Sequence, residues 1–161
     1  GDPAGEVRGA AAFAITKSLD PGIRPTLKEA YYRDDHDLAK VGAVAGLARL
    51  PGGTGDAEFL ASEGGPFLRE AARSAEESVS RHYAVRVLSR LGPVEGRAET
   101  FREVGSGDPS SWVRRTALTA LADTEGEAAI PFLMERMAEE SSRNRTHVES
   151  LLKRLDHEND E

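Results

Sequence analysis

The chain has 161 residues, with 21 Lys or Arg against 28 Asp or Glu and a formal charge of -7. That acidic balance argues against nonspecific binding to nucleic acid or an anionic membrane, whose phosphates it repels. Cysteine is absent, which excludes disulfides, thiolate metal sites and cysteine nucleophiles; the compartment stays open, with a soluble cytoplasmic chain the expectation.

The longest clean apolar run, Val41 to Ala48, is too short to cross a bilayer. The first residue is Gly rather than Met and no signal peptide follows, so a natural N-terminus upstream is expected. The first predicted helix, at about 4–18, is apolar over much of its circumference. Such a helix is expected to dock on an upstream segment or on a second copy of the chain. Asp20-Pro21-Gly22 breaks it, and a helix containing Pro25 follows at about 23–33. Asp34-Asp35-His36-Asp37 then reads as a capping segment, rather than a metal site, for a helix at 37–50.

Residues 50–66, LPGGTGDAEFLASEGGP, are longer than the other connections and are expected to protrude as a loop, with at most a helical turn at Asp56–Ala61. PGGTG lacks the Lys-Ser/Thr of a phosphate loop, and Asp56, Glu58 and Glu63 would repel phosphate. Further helices are predicted at 65–76, 79–91, 95–105, 110–122, 128–140 and 144–155, with breaks at Gly92-Pro93 and Asp123–Gly126. The last helix has a polar face and an acidic tail at 157–161, as a terminal cap requires.

These helices alternate in a repeating register. Arg8, Lys40, Arg81, Arg114 and Arg145 are spaced by 32, 41, 33 and 31 residues. Three positions on stand Ala11, Ala43, Ala84, Ala117 and Val148; seven on stand Ile15, Leu47, Leu88, Leu121 and Leu152. Both sets fall on one helical stripe. The intervening helices carry Leu27, Leu68, Phe101 and Leu133, three of them two residues after Pro25, Pro66 or Pro131. Proline fits the first helical turn because its missing N–H has no intrahelical partner there. Each unit is thus a helix A, a turn and a helix B.

The pattern Asp-Pro-x-x-x-Val-Arg-x-x-Ala-x-x-Ala-Leu at 108–121, followed by Ile130-Pro131-x-Leu133, resembles HEAT repeats. It is most similar to the short variety of phycobilisome-lyase-like and related bacterial proteins. The resemblance implies an all-α solenoid of about four HEAT-like hairpins plus a C-terminal capping helix. Its domain would span 1–156, with units at about 2–33, 34–76, 77–105 and 108–140, and B helices lining a concave binding face. It also implies that the ladder Arg8, Lys40, Arg81, Arg114 and Arg145 is structural, pairing with Asp2, Asp34 or Asp108.

Four residues after the Pro position each B helix carries a carboxylate: Glu29, Glu70, Glu103 and Glu135. Stacked, they form either an acidic groove for a basic protein segment, with Phe67 and Phe132 as anchors, or a solvated ion-pair lattice worth little per pair. Trp112, just outside the apolar register, is expected to be partly exposed and joins the candidate partner-binding residues. Tyr31 and Tyr32 are expected to divide between core and surface. His36, His82, His147 and His157 occupy unrelated positions and make no ligand set. The favoured expectation is a noncatalytic protein-binding scaffold, without catalytic residues, metal or cofactor. A bilin lyase-like enzyme or accessory subunit, and a self-associating assembly subunit, are the alternatives.

Overall fold

A computed structural model describes residues 3–15, 20–51 and 54–157. Asp2 and the tail beyond His157 therefore lie outside the described residues. Within them every regular element is helical, and the fold is all-α and solenoid-type. The elements are α1 (Pro3–Ile15), a short 3-10 turn (Pro21–Ile23), α2 (Arg24–Arg33), α3 (Asp37–Arg49) and α4 (Thr54–Phe59). A π turn (Leu60–Gly64) leads into α5 (Gly65–Ser74), followed by α6 (Ser78–Arg90), α7 (Arg97–Gly107) and α8 (Ser111–Glu125). A 3-10 turn (Gly126–Ala129), α9 (Ile130–Glu139) and α10 (Ser142–His157) complete the chain. The A helices are α1, α3, α6, α8 and α10; the B helices are α2, α5, α7 and α9.

The register explains the packing. Pro25, Pro66 and Pro131 all occupy the first turn of their helices. Leu27, Leu68, Phe101 and Leu133 are almost wholly buried, as are Leu47, Leu88 and Leu121. Each such side chain contributes about 1.5–3 kcal/mol on leaving water. Ala43, Ala84 and Ala117 have no exposed surface, so neighbouring helices approach closely at those points.

The chain divides into two compact units, Gly1–Val94 and Glu95–Glu161. In the first, α3 is the centre: α1, α2 and α6 all pack on it, and α5 packs on α6. Its residues from Val41 to Leu47 are all buried. In the second unit α7 lies on α8, α9 on α10, and α10 on α8.

Three expectations need correction. Ala11 does not join the buried stripe; it is exposed, and α1 turns Gly5 and Gly9 inward instead. A Cβ on Gly9 would sit 2.6 Å from Leu38 Cγ, so α1 meets α3 nearly backbone to side chain. In α10 the buried apolar positions are Val148, Leu151 and Leu155, with Leu152 half-buried, because the terminal helix presents a different flank.

The third correction concerns residues 50–66. The described part of the insertion is helical, α4 and the π turn running into α5 without a break. At the junction a Cβ on Gly65 would come within 3.0 Å of both Leu60 O and Val94 Cγ1. The glycines that read as loop formers instead permit close approach inside a helix. The insertion packs on α2 through Arg24 and Lys28, both paired with the buried Asp56, and through Tyr32 O–H, which donates to Glu63 at 3.0 Å.

Candidate functional site

The basic ladder serves two tasks, only one of which leaves a trace in the sequence. Arg8 Nε donates to Asp34 at 2.7 Å and its Nη2 to the other carboxylate oxygen at 3.1 Å. Arg114 binds Glu140 in the same forked way, at 2.7 and 3.0 Å. The second task is to cap the preceding B helix. Arg81 donates to the carbonyls of Ala75 and Glu76, Arg114 to Asp108 O, and Arg145 to Met137 O and Glu140 O. Carbonyls at a helix end have no intrahelical partner, so a cation there meets both a hydrogen-bonding and a dipole demand. Lys40 does neither; its Nζ stands 5.9 Å over the Phe67 ring.

The ion pairs set the local electrostatics. The Arg8 guanidinium holds Asp34 below the usual carboxylate range, helped by the His36 N–H. Arg114 does the same for Glu140, with Asn144 Nδ2 donating at 2.9 Å to a carboxylate that burial alone would raise. Asp34 and Asp108 each accept the N–H two residues on, forming turns just before α3 and α8. His36 is the N-cap of α3, its Nδ1 accepting Leu38 N–H at 3.3 Å. Burial, reinforced by Arg86, pushes His82 down to about 4. His147, also lowered by burial, lies 2.9 Å from Thr119 Oγ1.

The carboxylates singled out on the B helices are all exposed. Glu29 pairs with Arg33 at 2.6 Å, Glu70 accepts from Ser74 Oγ at 2.8 Å, and Glu135 lies 3.4 Å from Arg136. Glu103 projects from α7 in the second unit. Phe67 and Phe132 are half-buried and engaged. Phe67 meets Tyr31 edge to face at 5.5 Å, and Arg136 lies 5.7 Å from the Phe132 centroid.

Among the described residues the large exposed apolar side chains are others: Val7, Tyr32, Trp112 and Met134. Trp112 stands in the first turn of α8. Tyr31 is half-buried against Phe59 while Tyr32 is exposed, the division expected of the pair. Met134 escaped the sequence reading because it follows the buried Leu133 directly. Counting from Pro131 at three and seven residues, however, shows Met134 and Ala138 on one flank of α9.

That flank is the most distinctive surface of the second unit. Met134 is 57% exposed, and the side chains of Glu135 and Glu139 are 63% and 61% exposed. Pro131 and Ala138 are exposed beside them. Arg136, on the opposite flank, is buried and bonded to Glu139. The result is an apolar strip with carboxylates along one edge.

Among the described residues no group of three or more His, Asp or Glu side chains is placed to hold a metal ion. No described helix is long and apolar enough to cross a membrane. Neither a curated protein nor a solved structure matches the chain. The family model for HEAT repeats matches residues 65–153, from the start of α5 into α10 and more than half of the chain. The chain belongs to the HEAT-repeat family.

Proposed function

We propose that this protein is a noncatalytic protein-binding scaffold whose B-helix surface receives a basic, partly apolar segment of a partner. The observation that carries the reading is the exposed flank of α9, where Pro131, Met134 and Ala138 form an apolar strip with Glu135 and Glu139 along one edge. Methionine adapts its shape to an incoming side chain, and the carboxylates select for lysine or arginine through charge-assisted bonds. In the first unit Tyr32, Glu29 and Glu70 present the same chemistry on α2 and α5. The test is an NMR titration of the full chain with a short peptide alternating Lys and Leu. Shifts should concentrate on α9, and Glu135→Lys with Glu139→Lys should weaken binding at least about tenfold. Shifts spread evenly over the surface, or binding unchanged by the reversal, would leave the glutamates as a solvated lattice only.

A second reading is favoured by α1. Val7, Ala10, Ala11 and Ala14 are all exposed and fall at helical spacing on one flank. This flank fits a second copy of the chain. Analytical ultracentrifugation should show a concentration-dependent dimer that Val7→Glu abolishes; a monomer at all concentrations removes the reading.

A further inference from the structure

In the first unit a groove opens where α1, α3 and α6 meet. Phe13 and Tyr83 contribute rings packed 4.8 Å apart, and Ala45, Ala48, Val87 and Leu91 supply the rest of its apolar lining. The groove exists because α3 carries alanine where its neighbours carry bulk. Phe13, Ala45 and Arg86 occupy equivalent places, each five residues after the basic position of its own helix. Two small side chains on the middle helix leave a trough between larger ones.

Three guanidinium groups complete the lining: Arg49, Arg86 and Arg90. Among the described residues none of them forms an ion pair, and Arg86 instead lies 5.9 Å from the Tyr83 centroid. In a chain of charge -7, three cations gathered without a carboxylate call for a reason. Arg49 and Arg90 close α3 and α6, and a cation favours the negative end of a helix. That accounts for two of the three and for none of the apolar lining. Arg86 stands a full turn before Arg90, about 6 Å along the axis.

We propose that this groove docks an acidic peptide segment of a partner protein, with an aromatic or aliphatic side chain seated against Phe13, Tyr83 and Val87. Its carboxylates meet Arg49, Arg86 and Arg90. The spread of the cations argues for a chain rather than a small acid, because one carboxylate engages one guanidinium fork. The site is opposite in charge to the B-helix surface and independent of that reading.

The test uses the full chain and a fluorescein-labelled peptide of Asp and Glu flanking a central Phe-Leu pair, read by anisotropy. Saturable binding is expected, about tenfold weaker at about 300 mM than at about 50 mM salt because the cations are exposed to screening. Arg86→Glu with Arg90→Glu should weaken it at least about tenfold while the chain stays folded by circular dichroism, with only the small loss in melting temperature that a reversed charge at the end of α6 brings. Ala48→Glu, at an exposed position inside the groove, should do the same while leaving every arginine in place. Glu135→Lys with Glu139→Lys should leave this binding unchanged.

Absence of saturable binding overturns the proposal, as does binding that survives both groove variants. Equal binding of a peptide with Gly-Ser in place of Phe-Leu would reduce the site to a counterion patch and overturn it too. Displacement of the peptide by hexanoate at similar concentration would make the occupant a small carboxylate. Sedimentation with phosphatidylglycerol vesicles, in place of peptide binding, would make it a lipid surface; either result ends the peptide reading.

Discussion

The ion pairs Arg8–Asp34 and Arg114–Glu140 join residues the same distance apart in the chain, from an A helix to the residue closing the next B helix, yet they differ in consequence. In the first unit the arginine side chain is 44% exposed and its partner 11%. In the second the figures are 19% and 4%, and the carboxylate also accepts from Asn144 while the arginine reaches Asp108 O. A repeated sequence pattern therefore supplies a repeated geometry but not a repeated energy. Burial decides how much each copy is worth, because water screens the outer pair and not the inner one.

The sharpest way to break this contrast is Glu140→Ala. It leaves the Arg114 guanidinium and the buried Asn144 without their shared acceptor, and a loss of about 3 kcal/mol is expected in urea unfolding. A loss below about 1 kcal/mol would place this pair in the same class as the exposed one.

The next effect separates the units by pH. His82, in the first unit, stays neutral in the folded protein down to about 4, whereas in the unfolded chain it takes up a proton near 6.5. Between those values the unfolded state holds more protons, so stability is complete above about pH 6.5 and falls as the pH drops towards 4. Unfolding at a series of pH values should show a loss on the order of 2 kcal/mol that His82→Gln largely removes. His147 adds a slope of the same sign that the substitution leaves behind. An unchanged pH profile in the variant would exclude His82 as its source.

Smallest is Asp34→Ala. With Arg8 half exposed, the expected cost is about 1 kcal/mol, shrinking at high salt. Its carboxylate is held low by Arg8, so this contribution is present above the ordinary aspartate range and lost as the pH falls through the lowered value. A cost equal to that of Glu140→Ala would mean that the two pairs do not differ in strength after all.

Much of the fold was legible because its signals were redundant. Pro25, Pro66 and Pro131 mark helix starts, and Leu27, Leu68 and Leu133 follow at a fixed interval, so two kinds of physics agree at each site. The failures came where one residue type serves two purposes. In α1, glycine and alanine both read as small, and only the approach of Leu38 shows that Gly9, not Ala11, faces inward. Carbonyl capping by Arg81 and Arg145 was hidden because a backbone acceptor has no side-chain identity. Glu29, Glu70, Glu103 and Glu135 are exposed on their B helices, as their places in the register suggest, whereas Met134 was masked by its buried neighbour. The arginine groove was harder to see: its lining comes from three helices, and of its cations only Arg49 and Arg90 fall at an equivalent place in the repeat.

The π turn before α5 acts as a phase adjuster. Each residue advances an α-helix by about 100°, and a wider turn takes up one more residue than the α spacing allows. The surplus residue is thus absorbed within Leu60–Gly64, and α4 keeps the phase it would have on an unbroken helix one residue shorter. Forcing the same residues into α geometry would swing α4 about the axis of α5 by about 100°. Asp56 would then point away from Arg24 and Lys28, so the hold of the insertion on α2 rests on the width of that one turn.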